Sequence, residues 1–211
     1  MNDKQWNPGR LLELSGYYWK TCVLHAAVKL ELFTAIADDT LPSQAVADKL
    51  GCDPPATERL LNAVSALGLL NTADGKFRNT EAARKFLCKD APAYVGHMIM
   101  HHHHLLDSWA HLDQAVQSGR PIRRRASSSD EQWRESFLMG MFNMAMNLAP
   151  RLVPLVNLEG RRRLLDLGGG PGTYAIHFCQ KNPDLRAVVF DLSTTRPFAE
   201  KTIEEFRRIF E

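Results

Sequence analysis

The sequence predicts a mainly α-helical chain with an α/β C-terminal part. Three stretches carry that expectation: "LLELSGYYWKTCVLHAAVKLELFTAIA" at 11–37, a helix–helix–hairpin–helix succession over 43–87, and "RRRLLDLGGGPGTYAIHF" at 161–178. They divide the 211 residues into an N-terminal region 1–90, a connecting region 91–159 and a C-terminal region 160–211.

Residues 11–37 carry apolar side chains at three- and four-residue spacing nearly all round. That pattern predicts one long helix buried on more than one side, and such a helix needs a partner. In "LPSQAVADKLGC" Ser43 is placed to cap a helix that Gly51 ends. "DPPATERLLNAVSALGLL" opens on prolines, which suit a first helical turn, and continues as an apolar helix. Asp74-Gly75, between short flanks in "NTADGKFRNT", predicts a hairpin turn, and "TEAARKFL" starts another capped helix. Helix, helix, hairpin, helix is the order of a winged helix.

Winged helices often read DNA, but this one lacks the charges. Between Pro55 and Leu70 only Glu58 and Arg59 are charged, too few for phosphates and base edges. Residues 1–90 carry 11 Lys/Arg against 11 Asp/Glu, residues 91–165 carry 9 against 6, and residues 166–211 carry 6 against 7. No region has the basic excess that non-specific nucleic-acid affinity rests on. A packing and dimerisation module is the better reading. No apolar stretch approaches the roughly 20 residues a spanning helix needs, and "MNDKQWNPGR" lacks a signal peptide's apolar region, so the expectation is a cytoplasmic protein away from membranes. Cys22, Cys52, Cys88 and Cys179 form no Cys-x-x-Cys pair and read as reduced, mostly buried thiols.

The connecting region is mostly helical, interrupted by "SGRPIRRRASSSDE" at 118–131, a solvated charged loop to which no site is assigned. In "GHMIMHHHHLLDSWAHL" His97, His101 and His104 share a helical face, but four consecutive histidines fan out by about 100° each and cannot converge on one ion. No metal site is expected. An ordinary helix with some exposed histidines is the leading reading, and a polar pocket lining the second. "FLMGMFNMAMNLAP" at 137–150 holds four of the seven methionines and fits a core or an apolar pocket wall, with the core favoured slightly.

"RLLDL" and "RAVVFDL" are short, almost continuous apolar runs, as in parallel strands covered on both faces. "GTYAIHFCQKNPDL" between them predicts a right-handed crossover helix, and the unit is Rossmann-like. Gly168, Gly170 and Gly172 permit a sharp bend and close approach of a ligand to backbone. Asp191 ends the second strand, where a carboxylate can accept from both ribose hydroxyls of an adenosine. A dinucleotide fingerprint would place Gly or Ala where Thr173 stands, so S-adenosylmethionine, which has no pyrophosphate, suits the pattern better.

Together these motifs resemble the class I small-molecule O-methyltransferases, the group with plant caffeate and acetylserotonin enzymes and bacterial polyketide-tailoring enzymes. "GYYWKTCVLHAAVKLELF" is similar to their dimerisation helix and "ADKLGCDPPATERLLNAVSALGLL" to their winged-helix core. "LLDSWAHLDQAV" resembles their linker helix, and "LLDLGGGPGTYAIHF" with "VVFDL" their cofactor motifs. The resemblance implies S-adenosyl-L-methionine as cofactor, bound by Asp166, Gly168, Gly169, Gly170, Asp191 and Leu192. In it Gly168 and Gly170 shape the turn under the methionine part, Asp166 orders that turn, Asp191 holds the ribose and Leu192 lies near the adenine. Trp109, Met141, Asn143 and Met144 become candidates for the acceptor pocket. The implied activity is methyl transfer to a hydroxyl of a small aromatic or polyketide-like molecule, and the implied partners are that acceptor and a second copy joined through the N-terminal domain. In that family further strands and a histidine base follow the second strand. The base is therefore expected beyond residue 211, no catalytic residue is assigned within it, and this chain alone is expected to hold only part of the donor. The alternatives are a non-catalytic dimerisation module pairing with a full-length relative and, third, a DNA-binding regulator.

Overall fold

A computed structural model describes residues 6–122 and 131–210, with the backbone alone at 207–210. Most of the arginine- and serine-rich loop thus lies outside the described residues. The described chain is mostly helical and forms two compact units, 1–96 and 97–211.

The first unit begins with α1 (Pro8–Ser15), α2 (Tyr17–Lys29) and α3 (Leu32–Ile36) rather than one long helix. Gly16 interrupts the first join, and Glu31, at φ 59°, turns the second into the left-handed region. A left-handed non-glycine residue costs about 1–2 kcal/mol. The bend aims Leu32, Phe33 and Ile36 inward, all three fully buried. Each such burial is worth roughly 1.5–3 kcal/mol, so packing outweighs helical continuity. The apolar periodicity of 11–37 carries helix but not the position of the core, so the expected single helix is three.

Next come β1 (Leu41–Pro42), α4 (Ser43–Leu50), α5 (Pro54–Ala66), β2 (Leu70–Ala73), β3 (Lys76–Asn79) and α6 (Glu81–Leu87). The cap expected at Ser43 falls on Pro42, because Pro42 is held extended by pairing with Lys76 and Ser43 is already helical. Gly51 ends α4 at φ 61°, and Asp53 and Thr80 cap α5 and α6 by accepting from Ala56 N–H and Ala83 N–H. The strands form an antiparallel sheet in the order β1-β3-β2. Asp74 (φ 49°) and Gly75 (φ 69°) make the two-residue hairpin turn whose double left-handed geometry matches strand twist. Val46, Leu61, Val64 and Phe77 complete the core. Asn79 donates to Phe33 O and Ala37 O, each at 2.8 Å, satisfying carbonyls that the short α3 leaves open. Cys88, which donates to Phe33 O, is the only buried cysteine; Cys22 is exposed and the other two are intermediate, against the expectation of mostly buried thiols.

The second unit contains α7 (Gly96–Ala110), α8 (Leu112–Ser118), α9 (Glu131–Leu152), β4 (Arg163–Leu167), α10 (Thr173–Lys181), β5 (Arg186–Phe190) and α11 (Arg196–Phe210). β4 and β5 pair in parallel, Arg163 opposite Arg186 through Leu167 opposite Phe190, with α10 as the crossover. The expectation of strands covered on both faces fails here. Leu164, Asp166, Ala187 and Val189 face inward, whereas Leu165, Leu167, Val188 and Phe190 are 61–73% exposed. A continuous apolar run shows that a strand can be covered twice, not that the described residues supply both covers. The histidines also differ from the leading reading. His101 is buried with its ring 4.9 Å from Phe137, His104 stacks on Trp133 at 5.5 Å, and only His102 of the four is exposed. Among the described residues no group of three or more His, Cys, Asp or Glu could hold a metal ion, and no helix is long and apolar enough to cross a membrane.

Candidate functional site

The chain leaves β4 at Leu167 and reaches α10 through Gly168-Gly169-Gly170-Pro171-Gly172. Gly168, Gly170 and Gly172 have φ of 70°, 54° and 80°, in the region where side chains are strained. Gly169 is needed for another reason. A Cβ there would lie 2.6 Å from Asp166 Cγ and 2.9 Å from Val189 Cγ1. The turn therefore sits directly on the inward face of the sheet.

Backbone hydrogen bonds tie this turn to the end of β5. Gly168 N–H donates to Phe190 O at 2.7 Å, and Gly170 N–H donates to Asp191 Oδ2 at 2.8 Å. Asp191 Oδ1 accepts from Leu192 N–H at 2.6 Å. Both oxygens are thus oriented by one backbone donor each, and each keeps acceptor capacity for a ligand hydroxyl. Asp191 forms no ion pair among those found in the described residues.

Asp166 lies beneath the turn, and burial raises its pKa above the ordinary carboxylate value. The Ala175 N–H opposes that rise, and the neighbouring negative charge of Asp191 adds to it. Asp166 Oδ2 is buried without a hydrogen-bond partner, as is Thr173 Oγ1. Packing on Asp166 fixes the path of the turn, and the left-handed glycines at 168 and 170, with open space where a Cβ would stand, fit close approach of a ligand to the backbone.

These residues border a cavity of about 440 Å³, within the range of small-molecule sites. Asp166, Gly168, Gly169, Gly170, Asp191 and Leu192 all line it. From α9, Met141 and Met144 join them, with Phe137 and Leu148 adding apolar wall. Trp109, 65% exposed, and Asn143 are not among the lining residues. Met141 and Met144 thus stand on a pocket wall rather than in the core that their stretch slightly favoured. His177 is absent from the lining; its ring meets Phe206 edge-on at 6.2 Å, and burial lowers its pKa.

Two family models match the chain, the O-methyltransferase dimerisation domain over residues 12–89 and the O-methyltransferase domain over residues 109–208. The chain belongs to the S-adenosylmethionine-dependent O-methyltransferase family. A family relative, 3-hydroxy-5-methyl-1-naphthoate 3-O-methyltransferase of Streptomyces sahachiroi, is 34% identical over 191 residues, covering 88% of this chain and 55% of its own length. An O-methyltransferase family protein from Burkholderia thailandensis superposes with TM-score 0.83 at 28% identity, over 96% of this chain and 62% of that one. Human N-acetylserotonin methyltransferase in complex with SAM gives TM-score 0.78 at 25% identity, over 95% and 64%. The chain spans less than two thirds of the length of each of these family proteins.

Sequence reasoning missed Arg134, Tyr174 and Thr195, which also line the cavity. Arg134 lies one helical turn before Phe137 and Leu138, so the face of α9 bearing Met141 could have pointed to it. Thr195 lies just past β5, in a stretch with no periodic signal.

Proposed function

We propose that this chain binds S-adenosylmethionine and forms the donor-binding part of an enzyme that methylates a hydroxyl of a small aromatic or polyketide-like molecule. The observation that carries the reading is the link between the glycine turn and the Asp191 carboxylate, Gly170 N–H to Oδ2 at 2.8 Å. It brings a side-chain-free backbone bend and an oriented acid to one cavity. There Asp191 would accept from the ribose hydroxyls, Leu192 would lie against the adenine, and the turn from Gly168 to Gly170 would underlie the methionine part. The bound donor supplies an activated methyl group on a sulfonium. Met141, Met144 and Phe137 form an apolar wall for the acceptor. The naphthoate-methylating relative supports an aromatic acceptor. No histidine lines the cavity, and we assign the general base to none of its lining residues.

The N-terminal region acts, in this reading, as a winged-helix dimerisation module that pairs two copies. Leu11, Leu12 and Leu14 of α1 and Tyr17, Tyr18 and Trp19 of α2 are all exposed, and the family's dimerisation model covers them from residue 12 onward. Calorimetric titration with S-adenosylhomocysteine tests the donor assignment. Wild-type protein binds, and Asp191→Ala binds at least roughly tenfold more weakly, as expected for loss of a charged hydrogen-bond acceptor. Folded wild-type protein that releases no heat contradicts the reading.

A further inference from the structure

We infer that His101 is a positioning residue that sets the size of acceptor this chain takes, by holding the Phe137 ring in the pocket wall from behind. This rests on the reading of Phe137 as acceptor wall above.

Helices α7 and α9 meet along an antiparallel seam of three steps. At the first, Gly140 packs on Met98 so closely that a Cβ there would lie 3.1 Å from Met98 Cα. One turn along, the His101 ring stands 4.9 Å from the Phe137 ring, tilted by 50°. One turn further, His104 stacks on Trp133 at 5.5 Å and 27°. The steps advance through 98, 101 and 104 on α7 as they recede through 140, 137 and 133 on α9, the spacing at which residues of one helix share a face. Contact with backbone at Gly140 leaves the two helices no room to approach further. The side chain at 101 therefore fixes how far the Phe137 ring stands from α7.

Phe137 belongs to two surfaces at once. It is half-buried against the seam and also lines the cavity, whereas Met98, His101 and His104 do not line it. A ring that borders open space is held by what packs on its other side, and His101, only 7% exposed, is the ring that packs there. Interiors are filled to near-crystal density, so a change of volume at 101 is passed to its neighbours, and Phe137 is the neighbour with space to move into or out of. Without the His101 ring, Phe137 can swing back toward α7, and the pocket deepens at that point. Because Phe137 lies one helical turn before Met141, the added depth opens on the apolar wall rather than on the glycine turn.

Calorimetry at saturating S-adenosylhomocysteine compares two probes, 2-naphthol with two fused rings and 2-hydroxyanthraquinone with three. His101→Ala is expected to shift the ratio of their affinities roughly tenfold toward the three-ring probe, the scale on which a pocket discriminates added bulk, and to leave S-adenosylhomocysteine within about twofold. His101→Phe, which keeps a ring at 101, is expected to show the wild-type ratio, a rescue that a general loss of stability would not give. If His101→Ala does not fold, His101→Val is read in the same way. An alanine variant with the wild-type ratio, or a phenylalanine variant that shifts as the alanine variant does, overturns the inference and leaves the acceptor-wall reading intact. Wild-type protein that binds S-adenosylhomocysteine but neither probe overturns both, while the donor assignment stands.

Discussion

Gly169 has no room for a side chain because the Asp166 carboxyl lies directly beneath it, its Cγ 2.6 Å from where a Cβ would stand. The two residues are three apart in sequence but face each other across the bend from strand to turn. A glycine at this place is therefore fixed by contact with an acid, while its neighbours Gly168 and Gly170 are fixed by backbone angle.

Gly169→Ala is accordingly expected to destabilise the protein by about 1–3 kcal/mol, the range for overpacking a closed site. It must displace Asp166, Val189 or the turn itself. Thermal unfolding measures the loss, and titration with S-adenosylhomocysteine shows donor affinity falling with it. An alanine variant as stable as the wild type contradicts the packing.

Asp166 makes stability depend on pH in a direction set by its burial. Its pKa is raised in the folded chain above the ordinary 3.8, so the folded state holds the proton more tightly than the unfolded state. Stability from this group is then fully present below pH 3.8 and is lost as pH rises through the folded value. Asp166→Asn removes that slope. Urea unfolding of both proteins between pH 4 and 7, with the difference plotted, isolates the group from other carboxylates. The variant's relative stability is expected to increase with pH.

Much of this arrangement was legible in the sequence, for physical reasons that differ by element. Asp74-Gly75 named its hairpin because few dipeptides accept two left-handed residues in succession. Thr80 named its cap because its side chain reaches a backbone N–H within its own turn. Asp166, the glycines, Asp191 and Leu192 come to one cavity because their order along β4, the turn and β5 encodes their proximity. What escaped depends on distant packing. The break at Glu31 follows from where Phe33 is buried, and the position of Arg134 at the cavity follows from how α9 packs against α10. The bare face of Leu165 and Phe190 depends on which residues cover a sheet, a property no single strand contains.

At the hairpin, Gly75→Ala places a Cβ at φ 69°, where nothing crowds it but the backbone itself is strained. A loss of about 1–2 kcal/mol is expected, read as a fall in the urea midpoint. Donor binding is expected to stay at the wild-type level, since Gly75 belongs to the first unit and does not line the cavity.

The pairing proposed for the N-terminal region predicts a change of mass. Leu12 is 73% and Trp19 64% exposed. Leu12→Glu with Trp19→Glu is expected to move the protein from dimer to monomer by light scattering, because burying unpaired charge at an apolar interface costs several kcal/mol. A double variant that keeps the wild-type mass contradicts pairing through this face.

A crystal structure of the protein with S-adenosylhomocysteine tests the central assignment most directly. The account predicts both ribose hydroxyls within hydrogen-bond distance of Asp191, roughly 2.5–3.0 Å, and the homocysteine part lying over Gly168–Gly170. A ligand bound away from that turn, or with Asp191 turned from the ribose, would contradict it.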